Sequence, residues 1–332
     1  MSRARAGYDV VALGEPLVQF SPLEPGPLRY ARLFDMHAAG AESNVVIGLS
    51  RLGHRTALIT KLGFDELSEF IMMTLKSEGV GTRWVKREEG RTCGVYIIQR
   101  NYPVPGKNDV VYFRRDSAAS TISPEDLPER ALKHVRVFHL SGITPALSSS
   151  CLEASTHASK LAKKFGALFS FDPNHRKKLW SMERAAPVYR KLTSSADLLF
   201  LDTTEATIIL GKQSRNAGPE SLVKALAKLG PETVVLKMGA EGGLGAWMGG
   251  EFLQIASYKV DVVDNIGAGD AVVAGFLSGV LRGKDAATCL RWAAACSAMV
   301  VQRRGDFENL PTRPDLQAFI ESKESGHEFD PR

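Results

Sequence analysis

Two hydrophobic rhythms divide this chain. In the first, short continuous apolar runs alternate with segments whose apolar residues recur every three or four positions. "YDVVALGE" (Tyr8–Glu15) and "TALITKLG" (Thr56–Gly63) are compact runs rich in β-branched residues and closed by glycine, which predicts buried strands. Between them, Glu42–Gly53 spaces Val45, Val46, Leu49 and Leu52 for one face of a helix that Gly53 ends. "DELSEFIMMTLKSEGV" predicts a second helix, with Asp65 as its cap and Gly79 as its stop. After residue 130 the alternation resumes. "VRVFHLSG", "ALFSFDPN", "ADLLFLD" and "TVVLKMG" read as strands with helices between them, the first of these helices being the serine-capped "SSSCLEASTHASKLAKKFG". Strands that are apolar on both faces and alternate with helices imply an α/β fold with a mostly parallel sheet covered on both sides.

The second rhythm has period two and occurs in two places, Pro16–Phe34 and Arg91–Ala118. In the latter, Val110, Tyr112 and Arg114 fall on one face and Val111, Phe113 and Arg115 on the other. These segments predict a small antiparallel sheet at the edge of the body. A lid is one use for it, and a plain pair of edge hairpins is the other. Without repeats or low-complexity stretches, residues 1–332 read as a single domain, with 325–332 as a loose tail.

Composition narrows the function classes. The chain has 44% hydrophobic and 24% charged residues, ordinary for a globular protein, and 42 basic against 37 acidic residues give a net charge of +5 without basic runs. Nucleic acid is therefore not an expected partner. No apolar run reaches the roughly 18 residues of a membrane helix, and the N-terminal apolar stretch is short for a signal peptide. Four cysteines without CxxC spacing suit a reduced, cytoplasmic protein.

Candidate chemistry concentrates in "VVDNIGAGDAVVAGF" (Val262–Phe276). "SYKVDVVD" reads as a strand, and Val272, Val273, Phe276, Leu277, Val280 and Leu281 form a helical stripe. Gly267, Ala268 and Gly269 would then sit at a helix N-terminus, where unpaired N–H groups and the helix dipole favour an anion. An acid beside a bound phosphate, Asp270, suits proton removal from an alcohol during phosphoryl transfer. Spacing alone leaves Asp270 equally open to a supporting role at the helix start. A P-loop and the GxGxxG of dinucleotide dehydrogenases are both absent. Gly239 and Gly242 in "LKMGAEGGLGAW" could wrap a nucleotide phosphate, but on their own they read as a hairpin turn.

In order, Gly14-Glu15, "AGAESNVVIGLSRLG" with Gly40 and Asn44, "GFDELSEF" and "DNIGAGDAVVAGF" resemble the ribokinase-type (PfkB) carbohydrate kinases over almost the whole chain. "GEPLV", "GAESNV", "VYFRRDSA", "SGITPALS", "DPNHRKKLW" and "RRGDFE" resemble the 2-keto-3-deoxygluconate kinase branch of that family. The resemblance implies a ribokinase-like fold with a β lid, and ATP-dependent phosphorylation of a sugar acid at its C6 hydroxyl. It implies Asp270 as base and Gly267–Gly269 as the anion hole. Gly40, Tyr96, Tyr112, Arg114, Ile143, Arg176 and Asp306 would meet the sugar acid. Asn174, His175, Arg176, Lys237, Gly239, Gly242 and the glycine loop would line the nucleotide, and Glu205 would place Mg²⁺ through water. Two arginines suit a carboxylate-bearing substrate, although "FRRD" also reads as a charged strand edge. Ala39 and Asp202 depart from the family pattern, which more often has glycine and Asn or Ser there. A fructokinase or ribokinase, or a non-catalytic sensor, remains the alternative. Edges and an apolar face on the small sheet suggest a homo-oligomer, a dimer or higher.

Overall fold

The computed structural model describes residues 7–104, 108–214 and 217–325. The segments read as two-side-buried strands become the body sheet: β1 (Val10–Leu13), β4 (Thr56–Leu62), β5 (Val85–Arg87), β8 (Val137–Ser141), β9 (Leu168–Asp172), β10 (Leu198–Asp202) and β11 (Thr233–Lys237), joined by β12 (Leu244–Met248) and β13 (Glu251–Ile255). Their order is β13-β12-β11-β10-β9-β8-β1-β4-β5. All pairs from β11 to β5 are parallel, and the β11–β12 and β12–β13 pairs are antiparallel. Every residue of β1, β4 and β8 is buried.

Alternate side chains feed opposite cores. Val11, Leu13, Phe138, Leu140, Phe169 and Phe171 pack against the helices Ser149–Lys164 and Met182–Thr193. Val10, Val137, Phe200 and Val235 pack against Ala41–Arg51, Ala268–Leu281 and Ala286–Val300. The predicted caps form: Asp65 accepts from Ser68 N at 3.0 Å, and Ser148 accepts from Cys151 N at 3.1 Å.

The small sheet has four strands, β2 (Leu17–Pro22), β3 (Phe34–Ala39), β6 (Gly94–Gln99) and β7 (Asp109–Phe113), in the order β3-β2-β6-β7. One feature departs from expectation. β2 and β6 run parallel, because they belong to separate excursions from the body that leave it in the same direction; only the outer pairs are antiparallel. The sheet also takes in Phe34–Ala39, beyond the expected 16–34.

The strand expected in "SYKVDVVD" does not form. Residues 257–264 are irregular, since no strand lies beside them: the N–H groups of Val263 and Asp264 both go to Val301 O, at 2.8 and 3.1 Å, at the end of a helix. Of the expected tail, residues 326–332 lie outside the described residues.

β1 is flanked by β4 on one side and β8 on the other, so chain direction across the sheet switches there. The carboxyl ends of β1, β8, β9, β10 and β11 open onto one cleft, the position where open α/β sheets bind ligands. The small sheet roofs it.

Candidate active site

The cleft holds about 760 Å³, with residues of both sheets and of the glycine loop in its wall. Helix Ala268–Leu281 starts at Gly267, which has φ 77° and no side-chain cap. The left-handed backbone demands glycine, and a Cβ there would also lie 2.3 Å from Asp306 O. The helix's first N–H groups therefore face the cleft without a protein acceptor from a capping side chain, and an anion fits there.

Asp270 is buried in the first turn. Asn44 Nδ2 donates to its Oδ2 at 2.8 Å and Asn174 Nδ2 to its Oδ1 at 3.2 Å. The Asn44 amide also donates to Asp306 Oδ1 at 2.7 Å, so one NH₂ group clamps two carboxylates. Burial, then the negative charge of Asp306, pushes Asp270 up from the ordinary 3.8 to about 7, against the Asn44 hydrogen bond. Asp306 rises to about 6, chiefly through burial. A carboxylate poised near neutrality and fixed by two amides is suited to taking a proton.

Tyr96 O–H reaches both Gln19 Oε1 and Asp306 Oδ2 (3.0 Å) with one proton to give. Turning the Gln19 amide over lets Nε2, otherwise buried without a partner, donate to the phenol and leaves the Tyr96 proton for Asp306.

On the opposite wall, Lys237 Nζ pairs with Asp172 Oδ2 at 2.7 Å and would lie 3.7 Å from a Cβ on Gly269, so a cation faces the anion loop. Asp172 Oδ1 also accepts from Asn174 N at 3.0 Å, which holds Asn174 at φ 42°. Glu205 accepts from His175 N (2.7 Å) and Asp202 N (2.8 Å), while Asp202 Oδ1 accepts from Glu205 N (2.7 Å), a capping box at the start of Thr203–Leu210. Burial raises Glu205 to about 7. Among the described residues no cluster of three or more His, Cys, Asp or Glu forms a metal cage. Glu205 and Asp202 line the cleft as a pair, which fits a hydrated Mg²⁺ held mostly by phosphates and water.

Of the expected substrate contacts, Gly40, Tyr96, Tyr112, Arg114, Ile143, Arg176, Asp270 and Asp306 all border the cleft. So do Asn174, Lys237, Gly239, Gly267 and Gly269. His175 and Gly242 do not belong to the cleft wall. The His175 ring turns to Tyr189 (Nδ1 to O–H 3.2 Å) and leaves only its backbone at the site. Gly242 closes the short helical turn joining β11 and β12.

The two arginines differ. Arg114 Nε donates to Glu15 Oε2 at 2.8 Å, Nη2 bonds the same oxygen, and Ser117 bonds Oε1, all buried. Its charge is already matched. Arg176 is exposed to the cleft, with the charges of Asp270, Glu205 and Asp172 around it. Asn44, Glu15, Gln19 and Asp172 acquire roles that no spacing announced. Glu15, Asn44 and Asp172 stand in the quoted segments without an assigned role, and Gln19 stands in none that was singled out for chemistry.

The pfkB family carbohydrate kinase model matches residues 8–313. The chain belongs to this family. It is 38% identical over 321 residues to the 2-dehydro-3-deoxygluconokinase of Thermoproteus tenax, covering 96% of each chain. It is 33% identical to the 2-dehydro-3-deoxygalactonokinase of Haloferax volcanii, over 96% of this chain and 98% of that one. The crystal structure of the Thermotoga maritima 2-dehydro-3-deoxygluconokinase superposes with a TM-score of 0.86 at 27% identity, covering 94% of this chain and 99% of that one. This carbohydrate kinase therefore has the ribokinase-like fold expected of it, and no helix among its described residues is long and apolar enough to cross a membrane.

Proposed function

We propose that this carbohydrate kinase transfers the γ-phosphoryl group of ATP to the C6 hydroxyl of 2-keto-3-deoxy-D-gluconate (2-dehydro-3-deoxygluconate), giving 2-keto-3-deoxy-6-phosphogluconate and ADP. The observation that carries the reading is Asp270, buried at an uncapped helix N-terminus and clamped by Asn44 and Asn174. Asp270 takes the C6 hydroxyl proton as that oxygen bonds to the γ-phosphorus. The bond from the γ-phosphorus to the bridging oxygen breaks, and ADP leaves. N–H groups of Gly267–Gly269 receive the charge of the moving phosphoryl, and Lys237 adds a cation beside them. Mg²⁺, approached through water by Glu205, would neutralise phosphate charge. Arg176, free in the cleft, takes the substrate carboxylate, while Tyr96, Asp306 and Tyr112 bound the acceptor from the lid side.

Neutral sugars give Arg176 no anion to bind, which disfavours a fructokinase or ribokinase. The galactonate epimer shares the carboxylate. ADP release with 2-keto-3-deoxygluconate, 2-keto-3-deoxygalactonate, fructose and ribose tests the assignment. A kcat/KM for fructose or ribose equal to that for the sugar acids would overturn it.

We further propose a homo-oligomer, at least a dimer, assembled through the outer face of the small sheet. Phe34, Met36, Val111 and Phe113 are exposed there, and β3 and β7 are the outermost strands of the sheet. A cytoplasmic setting fits the substrates and the four free, buried cysteines.

A further inference from the structure

Six residues before Asp270, Asp264 is a buried carboxylate outside the cleft wall. Its partner comes from the lid and not from the body. Arg100, directly after β6, donates from Nη1 to Asp264 Oδ2 at 2.6 Å, with the two side chains 6% and 0% exposed. The same guanidinium donates from Nε and Nη2 to Ser21 Oγ on β2, at 3.1 and 2.8 Å, so it is fixed to two lid strands. The other Asp264 oxygen, Oδ1, accepts from Ile266 N at 3.3 Å in the turn that leads into Gly267. Ile266 packs in turn on the cluster of Leu17, Ala39, Tyr96 and Ile98, on the inner face of the lid.

A buried carboxylate stripped of its cation is strongly destabilising. Lifting the lid would take away both that cation and the cover over Asp264, and water would then compete for the carboxylate that holds the Asp264–Ile266 turn. That turn aims the N–H groups of Gly267–Gly269. We propose that Arg100 is a positioning residue for phosphoryl transfer: by neutralising Asp264 it sets the glycine loop, so the anion hole is assembled only with the lid sheet docked. This rests on reading Gly267–Gly269 as the phosphoryl-holding loop. It goes further by placing control of that loop in a residue that never meets substrate. The lid then does more than exclude water, since the loop that stabilises transfer depends on it, and ATP hydrolysis without acceptor is suppressed.

The test is Arg100→Ala in the full chain, with Arg100→Lys beside it. A small misplacement of catalytic groups costs up to about a hundredfold, so kcat is expected to fall about ten- to a hundredfold. KM for the sugar acid should hold, because Arg100 does not border the cleft. Added guanidinium, entering the vacated space beside Asp264, should restore part of kcat to Arg100→Ala, and Arg100→Lys should retain part of it. A folded Arg100→Ala with wild-type kcat overturns the proposal, as does a loss that neither guanidinium nor lysine repairs. Should Arg100→Ala fail to fold, Arg100→Gln keeps an amide donor without the charge, and wild-type kcat there overturns the proposal equally. Asp270→Asn, run in parallel, separates the two readings. Full turnover in Asp270→Asn sinks the reading of the loop itself. An inactive Asp270→Asn with a fully active Arg100→Ala sinks the role of Arg100 alone.

Discussion

The two sheets of this kinase are built in opposite senses. In the body sheet both faces are apolar and polar residues wait at the carboxyl ends of strands: Ser141, Asp172, Asp202 and Lys237. In the small sheet polar residues lie along the strands themselves. Register aligns His37, Gln19, Tyr96 and Tyr112 as one cross-strand row. Tyr96 meets Asp306, and His37 Nδ1 meets Glu308 Oε1 at 2.5 Å. The neighbouring outer rows carry Phe20, Met36, Ile97 and Val111, then Val18, Val95 and Phe113. The small sheet thus sets its hydrogen-bonding groups among Leu17, Ile98 and Val110 on the cleft side, while its other, apolar face is partly buried, Val18 and Ala38 clustering with Ile71 and Met72, and partly exposed. Burial of apolar area holds the body together, whereas the small sheet is docked by apolar contacts and buried polar pairs together. The polar pairs add to that area a geometry that one substitution can break.

The largest effect that sharpens this contrast is at the junction of the two. Asp270→Asn is expected to lower turnover about 10²- to 10⁴-fold while ATP still binds, read by steady-state rates and by nucleotide titration. Next come the two arginines, one spent and one free. Arg176→Ala should reduce kcat/KM for sugar acids by about ten- to a hundredfold, the weight of a lost charge-assisted pair, with little change in melting. Arg114→Ala strands the buried Glu15 and should cost about 3–5 kcal/mol of stability by denaturant unfolding. Equal effects of the two substitutions on both readouts would erase the distinction.

The pH profile is a finer probe. Asp270 must be ionised to act, so kcat/KM should fall as pH drops through about 7. Asp306→Asn removes a facing negative charge and moves that acid limb to lower pH. Asn44→Leu removes a hydrogen bond to the ionised form and moves it to higher pH. Asp172, Arg176 and Lys237 also face Asp270 and stay unchanged in both variants. Stability carries the reverse sign. A carboxyl whose folded pKa is raised favours the fold most below its unfolded pKa, and that contribution is lost as pH rises through about 7. The melting temperature of Asp270→Asn should therefore gain on the parent between pH 4 and pH 8. The smallest effect on the chain itself is on the outer face. Phe113→Glu should change folding stability by about 0.5 kcal/mol or less, yet lower the molecular mass measured by light scattering. An unchanged mass argues against assembly through that face.

Legibility followed the same divide. Body strands were readable because each is a short, two-side-buried run, and Asp65 and Ser148 cap their helices because local geometry decides capping. The segment Ser257–Asp264 misled because its alternation is that of a strand without a neighbour to pair with. The parallel contact of β2 with β6 was hidden, since direction depends on how two excursions meet whose paired residues are 77 apart in the chain. Arg114 and Arg176 carry identical side chains, and nothing near either in the chain tells which one meets a carboxylate of the protein.

Alternation of apolar and polar residues, glycine at positions of positive φ and an acid in a helix's first turn are local properties. They were sufficient to specify an α/β body, a small appended sheet and Asp270 in the first turn of a helix that begins at a glycine. Which carboxylates share Asn44, which arginine is free and which lid residue holds Asp264 were decided by tertiary contacts spanning 99 to 262 residues of chain. Charge compensation depends on distance in space, and only the assembled fold sets that distance.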